Sequence, residues 1–316
     1  QEEQDLKRQT QQMAFECYRQ VGKSMMLTPS SLLCMILLDF GMASISWEEI
    51  LFRAEKILDY CHRFNIPYSA SLSLTDNVWM ESLEKVLLLM LKDKKIIEEK
   101  RLHQSEGFYR IPKERRLEFL YSKNMIIHHF IIPYFINAAW IAYFSGRITS
   151  ASELGNFFLE KRKQLKYEFY LPTIKELFLG GMKITSHCVG RQIESIEECF
   201  SMTKEEMAKL ARMVGIFADA FRWLYEAHYI ALLVLNYFQD RLCTKDEFIK
   251  MAKDIHQMEM DHGRFVLHAE SFSEQALFNA LSLFQKEQIC SFASSKYKVI
   301  NVEKLTAAMR SYRTEL

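Results

Sequence analysis

Uncharged apolar runs alternate along this chain with segments whose apolar residues recur every three or four positions. Three times the switch between them is made in the same way. A phenylalanine is followed six residues on by Ser or Thr, three further by Glu, and directly by an apolar residue: Phe40/Ser46/Glu49/Ile50, Phe144/Ser150/Glu153/Leu154 and Phe238/Thr244/Glu247/Phe248. Ser/Thr-x-x-Glu is a capping box. The hydroxyl accepts an orphan N–H of the first helical turn, and the carboxylate reaches back to the cap residue's own N–H. Each copy therefore predicts a helix start, and the recurrence predicts one structural unit used three times.

The pattern divides the chain into a lead-in helix (1–24), three helical units (25–120, 121–200 and 201–301) and a tail helix (302–316). In the lead-in, Leu6, Met13, Cys17 and Val21 fall on one helical face. Unit 1 opens with Thr28 and Pro29 as cap and first helical residue, ahead of the apolar run 32–38. Its second helix starts at Ser46 and ends before Pro67, and a third spans 82–91. Ile96 and Ile97 then face residues 108–111 across a polar turn, as a hairpin would.

Unit 2 repeats the order with an apolar helix over 124–144, a capped helix from Ser150, a stop at Pro172, a helix to Met182 and a short segment over 184–189. Its hairpin is poorly marked. Residues 202–210 read as a helix in which Thr203 and Glu206 form another box. Unit 3 runs from Arg212 through an apolar helix to Phe238, a capped helix from Thr244, a helix over 273–286 and a final pair at 289–292 and 297–300. The fold class expected is mainly α, with three repeated helical units carrying small β-hairpin, winged-helix-like additions.

Composition agrees. Among 316 residues, 49% are hydrophobic, with only 10 Gly and 5 Pro, and no Pro lies beyond Pro172. This is a globular, helix-rich composition. At this length two or three sub-domains are expected. Forty-one basic against forty acidic side chains leave a charge of +1, which supplies no overall drive toward nucleic acid. The local basic runs are interleaved with Asp and Glu and read as solvated faces. Seven cysteines without Cys-x-x-Cys indicate neither a disulfide framework nor a zinc site. The polar start predicts no signal peptide, and Gln1 in place of Met predicts a fragment.

Candidate chemistry is sparse. His256 and Asp261 have the His-x-x-x-x-Asp spacing of a general base and its orienting carboxylate. On a continuous helix, five residues leave them about 140° apart and unable to pair. His128 and His129 lie in an apolar run and read as core histidines. His262 and His268, near Glu259 and Glu270, match no zinc template. No catalytic residue, metal or cofactor is assigned. Residues 125–144 carry no charge and are long enough as a helix, about 30 Å, to span a bilayer. Two His, a Pro and an Asn within them argue for a buried helix instead, with Trp140, Tyr143 and Phe144 suited to an interface at its end.

The stretch Tyr121-Ser122-Lys123-Asn124, followed by Met125-Ile126-Ile127-His128, resembles the Tyr-x-Arg/Lys-Asn-Asn-x-x-His segment in the C-terminal half of bacterial-type, membrane-associated glycerol-3-phosphate acyltransferases. Lys166-Tyr167-Glu168-Phe169-Tyr170-Leu171 looks like that family's Lys-x-Glu-Leu/Phe-Phe-Leu stretch, and Thr28-Pro29-Ser30-Ser31-Leu32-Leu33 like its Asn-Pro-x-x-Leu opening. The resemblance implies a parent enzyme that moves an acyl group from acyl-CoA or acyl carrier protein to the sn-1 hydroxyl of glycerol 3-phosphate. The family's catalytic motifs precede this region. Tyr121, Asn124, His128 and Glu168 are therefore expected to hold helices together, Asn124 and His128 through a shared hydrogen-bond network one turn apart. The partners implied are an N-terminal acyltransferase domain on the same polypeptide and a membrane surface at the cytoplasmic face of the inner membrane, bound peripherally or monotopically. The competing reading is a winged-helix binding module for protein or nucleic acid. Nucleic acid is disfavoured, since no third helix gathers the Arg, Asn and Gln that read bases.

Overall fold

The computed structural model describes residues 2–75, 78–100 and 107–316 and is mainly α with two small antiparallel sheets. After α1 (Glu2–Ser24), the chain forms α2 (Pro29–Asp39), β1 (Ile45–Ser46), α3 (Trp47–Arg63), α4 (Val78–Lys92), β2 (Ile97–Lys100) and β3 (Gly107–Arg110). The turn expected between the last two strands lies outside the described residues. A middle section holds α5 (Arg116–Ile126), α6 (Ile131–Phe144), α7 (Ala151–Leu165), α8 (Ile174–Val189), the single-turn α9 (Ile196–Cys199) and α10 (Lys204–Val214). The final section is α11 (Arg222–Tyr237), β4 (Cys243–Thr244), α12 (Lys245–His262), α13 (Glu274–Lys286), β5 (Cys290–Ala293), β6 (Lys296–Val299) and α14 (Val302–Glu315).

The order helix, strand, helix, helix, strand, strand thus occurs in 29–110 and again in 222–299. The two sheets share a topology, β1-β3-β2 and β4-β6-β5. In these two sections the motif serine or threonine has a double role that the sequence pattern did not reveal. Ser46 pairs with Phe108, and Thr244 with Lys296, as strand residues. Their extended backbone (ψ 158° and 166°) is also the conformation a helix cap requires. The residues just before them, Ile45 and Cys243, are buried as period-two alternation demands. Among the described residues the middle section contributes no strand.

The caps differ in how far they close. Ser46, Ser150 and Thr244 each accept the N–H three residues on. Only Glu247 returns to its own cap N–H, at 2.8 Å. Glu49 bonds Arg53 instead, and Glu153 takes the N–H and hydroxyl of Thr149, one residue before the cap. Full boxes also form at Thr203/Glu206 and at Thr173/Glu176.

Two helices form the centres of the fold. In α2, Ser31 through Asp39 are all buried, and α11 is buried from Trp223 to Leu232 and again at Val234 and Leu235. Such all-round burial is what a predominantly apolar run without amphipathic periodicity encodes. A ring cluster ties the sections together: Phe130 stacks on Phe217 at 4.8 Å, and Tyr60 meets Phe217 edge-on at 5.1 Å.

Several boundaries differ from the sequence expectation. The uncharged run 125–144 is not one helix, because α5 stops at Ile126 and a 3-10 turn, Ile127–Phe130, precedes α6. The cause is Pro133, which has no N–H to donate and would clash with the carbonyl four residues back, so it sits in the first turn of a new helix. The 14 residues of α6 reach only about 21 Å, short of the ~30 Å of hydrocarbon. Among the described residues, 113–144 is the one stretch apolar and long enough to cross a membrane by composition, and its most apolar window is 61% buried. The segment 184–189 is the end of α8, and Arg212 belongs to α10, so the apolar helix of unit 3 starts at Arg222. On α1 the face predicted to pack is open, with Leu6, Met13 and Val21 at least half exposed.

Gly41, directly after the first motif phenylalanine, has φ +56°, and a Cβ there would lie 2.9 Å from the Leu267 carbonyl oxygen. Backbone cannot yield as a side-chain end can. Gly41→Ala is therefore expected to cost about 1–3 kcal/mol in denaturant unfolding, whereas alanine at Gly155, where a Cβ meets nothing within 4 Å, should stabilise α7 slightly.

Candidate functional site

Two polar constellations stand out within this apolar framework. The first lines a cavity of about 560 Å³ between α1, the end of α3, the 127–130 turn, the 168–172 loop and α8. Its walls include three of the four residues singled out from the sequence: Asn124, His128 and Glu168. Tyr121 is 75% exposed on the outer face of α5 and lies outside it. Asn124 and His128 do not bond each other. Asn124 Oδ1 and His128 Nε2 are each buried without a hydrogen-bond partner, because the 3-10 turn interrupts the α-helical register that would have stacked them.

Burial, and then the neighbouring His129 ring, push the His128 imidazole down to about 3, so it is neutral at physiological pH. His129 Nε2 pairs with the Met25 carbonyl oxygen at 2.7 Å. Glu168 accepts a 2.7 Å bond from Asn279 on α13, and burial raises its carboxyl above the ordinary range.

Helix α1 forms one wall of this cavity. Gly22 brings its backbone against the His128 ring, where even a Cβ would be 3.4 Å from the ring. Tyr18 stacks on Tyr170 at 4.9 Å. Arg19 donates two bonds to Glu176, at 2.6 and 2.7 Å, and the same carboxylate closes the α8 capping box through Thr173. Burial alone would raise the Glu176 carboxyl, but Arg19 and Thr173 outweigh it and hold it at about 2. The sign is that of a depressed acid: this contribution is complete above about pH 4.5 and is lost as pH falls toward 2. Glu176→Gln is expected to raise amide hydrogen exchange in residues 13–24 at least several-fold at neutral pH while α2 and α11 stay protected.

The second constellation is a buried charged seam between α2, α5 and the final section. Arg116 is 1% exposed and forks onto Glu270 at 2.5 and 2.9 Å. It also donates to the carbonyls of Leu38, at 2.9 Å, and Gly41, so it caps the C-terminus of α2 as well. Lys123 meets Asp39 at 2.6 Å, both buried. Glu226, fully buried on α11, accepts from the backbone N–H groups of Leu267 and His268, from the His268 ring and from Arg222. Burial would raise the Glu270 carboxyl, but Arg116 beside it pulls it below the usual range.

Of the seam residues, the sequence points to Lys123, through the family-like stretch 121–128, and to His268 and Glu270, as residues that match no metal template. These last two bond to Glu226 and Arg116 instead. The readable signal was a lone acid within or ending an apolar run, Glu226 and Asp39. Among the described residues no group of His, Cys, Asp and Glu could hold a metal ion. His256 is buried, with Nε2 3.4 Å from the His268 carbonyl oxygen, and Asp261 accepts from Gln257 on the surface, so these two do not pair. The cysteines are unpaired thiols.

The architecture is thus a mainly helical region in which α5 bridges the two sheet-bearing sections through buried ion pairs. Its sequence matches the family model described as the glycerol-3-phosphate acyltransferase C-terminal region over residues 1–292, and the chain belongs to that family. Compared with curated proteins, it has no match. The family match ends within β5, and β6 and α14 lie beyond it.

Proposed function

We propose that this chain is the C-terminal part of a glycerol-3-phosphate 1-O-acyltransferase and that it supports an acyltransferase domain lying N-terminal to it on the same polypeptide. The observation that carries this reading is the family match across residues 1–292. In that assignment the parent enzyme takes its acyl group from acyl-CoA or acyl carrier protein, and Asn124, His128 and Glu168 shape the region's surface instead of performing chemistry. Membrane attachment is peripheral or monotopic, at the cytoplasmic face of the inner membrane. Ile141 and Phe144, more than half exposed at the end of α6 beside Trp140 and Tyr143, are suited to it.

We read the 25–120 and 201–301 units as winged-helix-like domains and the 121–200 unit as one without a wing. Their role in that case is protein docking. The surface of α4, the third helix of the first unit, carries exposed Leu88 and Leu89 with Glu81 and Glu84, which favours protein over phosphate. The deciding experiment joins the upstream acyltransferase sequence to this region and measures acylation of glycerol 3-phosphate. Deleting 25–301 should abolish activity. Activity that survives the deletion, or acylation by residues 1–316 alone, would refute the supporting role.

A further inference from the structure

We propose that the cavity walled by α1 binds an anionic single-chain amphiphile, its tail against the apolar wall and its phosphate or carboxylate at the basic mouth. This goes beyond the supporting role, since it requires neither acyl transfer nor an upstream domain and is tested on this chain by binding alone.

Three observations converge on it. The volume, about 560 Å³, lies within the 300–1,000 Å³ or so of small-molecule sites and is too large for a few waters. The lining is of two kinds. Tyr60, Phe64, Ile66, Met125 and Ile132 supply an apolar wall, while Arg19, Lys23 and Lys183 supply three cations against one carboxylate, Glu168. Arg19 and Lys23 are engaged by Glu176. Lys183 is exposed and has no ion pair among the described residues, so it is the cation placed to meet an incoming anion.

The third observation is polar. Asn124 Oδ1 and His128 Nε2, both on residues of the lining, are buried without partners. A buried polar atom left unsatisfied costs about 1–3 kcal/mol, and two in one wall mark positions where a ligand's polar groups complete the bonding. A hydroxyl donating to Asn124 Oδ1, beside the anionic head, fits that wall. A purely apolar ligand would leave both atoms orphaned, and a free anion would leave the apolar wall wet.

The experiment uses the full chain and a fluorescent fatty-acid analogue, displaced by unlabelled competitors below their micelle-forming concentrations. The competitors are a monoacylglycerol phosphate, a fatty acid, the uncharged monoacylglycerol of the same chain length, and glycerol phosphate without a chain. Saturable displacement by one or both anionic amphiphiles, at least tenfold tighter than by the uncharged one, is expected, and the tighter of the two identifies the head group. Lys183→Glu, on the exposed surface of α8, should weaken that displacement about tenfold and leave the uncharged competitor unaffected. Asn124→Leu should also weaken it while melting no lower than the parent, because it removes an orphaned polar atom and breaks no existing bond. Equal displacement by charged and uncharged chains, displacement by glycerol phosphate alone, or affinities unmoved by Lys183→Glu would each overturn the assignment.

Discussion

Arg116→Met should destabilise the fold by about 3–5 kcal/mol, enough to leave a region of marginal stability substantially unfolded at 37 °C. The size follows from what the guanidinium leaves behind. Glu270, with no exposed surface, would keep its charge in an apolar surrounding or take up a proton, and either is costly. The carbonyls of Leu38 and Gly41 would lose a charged donor at the end of α2, where α-helical carbonyls already lack intrahelical partners. A Met side chain fills much of the volume, so the loss is electrostatic and not one of packing.

Replacing both members, Arg116→Met with Glu270→Met, removes the stranded charge and should recover part of the loss, though not the two carbonyl bonds. Urea unfolding of the two single variants and the double variant measures this. A coupling energy near zero, with the two losses simply adding, would show that the charges do not act as a pair. Because Arg116 joins the end of α2 to the turn before α13, the same variant should loosen the first and last sections together, visible as parallel rises in amide exchange in α2 and α11.

Helices were legible in the sequence wherever they were announced locally. A Ser or Thr with the right spacing to Glu marks a start because the bond it makes spans only three residues, and α3, α7 and α12 begin where Ser46, Ser150 and Thr244 indicate. What reached across the chain was less legible. Strands β1 and β4 are two residues long and exist only because β3 and β6 return to pair with them, some fifty to sixty residues later, so no local alternation signals them. The break at 127–130 was written in Pro133, but its position within the run had to be weighed against an uninterrupted apolar pattern.

The cavity shows the same division. Asn124, His128 and Glu168 stand in the family-like stretches and do share one space. Their joint environment depends on α1 closing over them through Arg19, Gly22 and Tyr18, and Thr173 and Glu176, which anchor that closure, form a capping box whose spacing is local and therefore legible. The charged seam was the least legible element. Arg116 stands among surface charges in a basic stretch, and only the fold shows that it points inward.

His228→Phe should flatten the stability of this chain between about pH 6.5 and pH 3. His228 is 2% exposed. Burial first, and then the ammonium of Lys161, push its imidazole down to about 3. Phe284 and Tyr312 flank the ring, and the Tyr312 hydroxyl lies 2.8 Å from Nδ1, so nothing there rewards a positive charge. In the unfolded chain the same imidazole titrates near 6.5. Below that pH the unfolded state takes up a proton that the folded state refuses until about pH 3. Its contribution to stability is therefore complete above 6.5 and declines as pH falls through the interval, by about 1.4 kcal/mol per pH unit.

Phenylalanine keeps the ring volume and cannot titrate. It also removes the bond to Tyr312, but that loss is a nearly constant offset across this range, because burial drives the tyrosine hydroxyl well above its ordinary range and leaves it protonated throughout. The quantity to measure is thus the slope and not the level: urea unfolding of both proteins at half-unit steps from pH 7.5 to pH 4. The variant should start lower at neutral pH and lose stability more slowly on acidification, with His128, His256 and the ion-paired carboxylates Glu176 and Glu270 supplying the slope that remains. Parallel curves would mean that His228 carries its proton in the folded protein, and the packing of α14 against α11 would then have to accommodate a buried cation pair with Lys161.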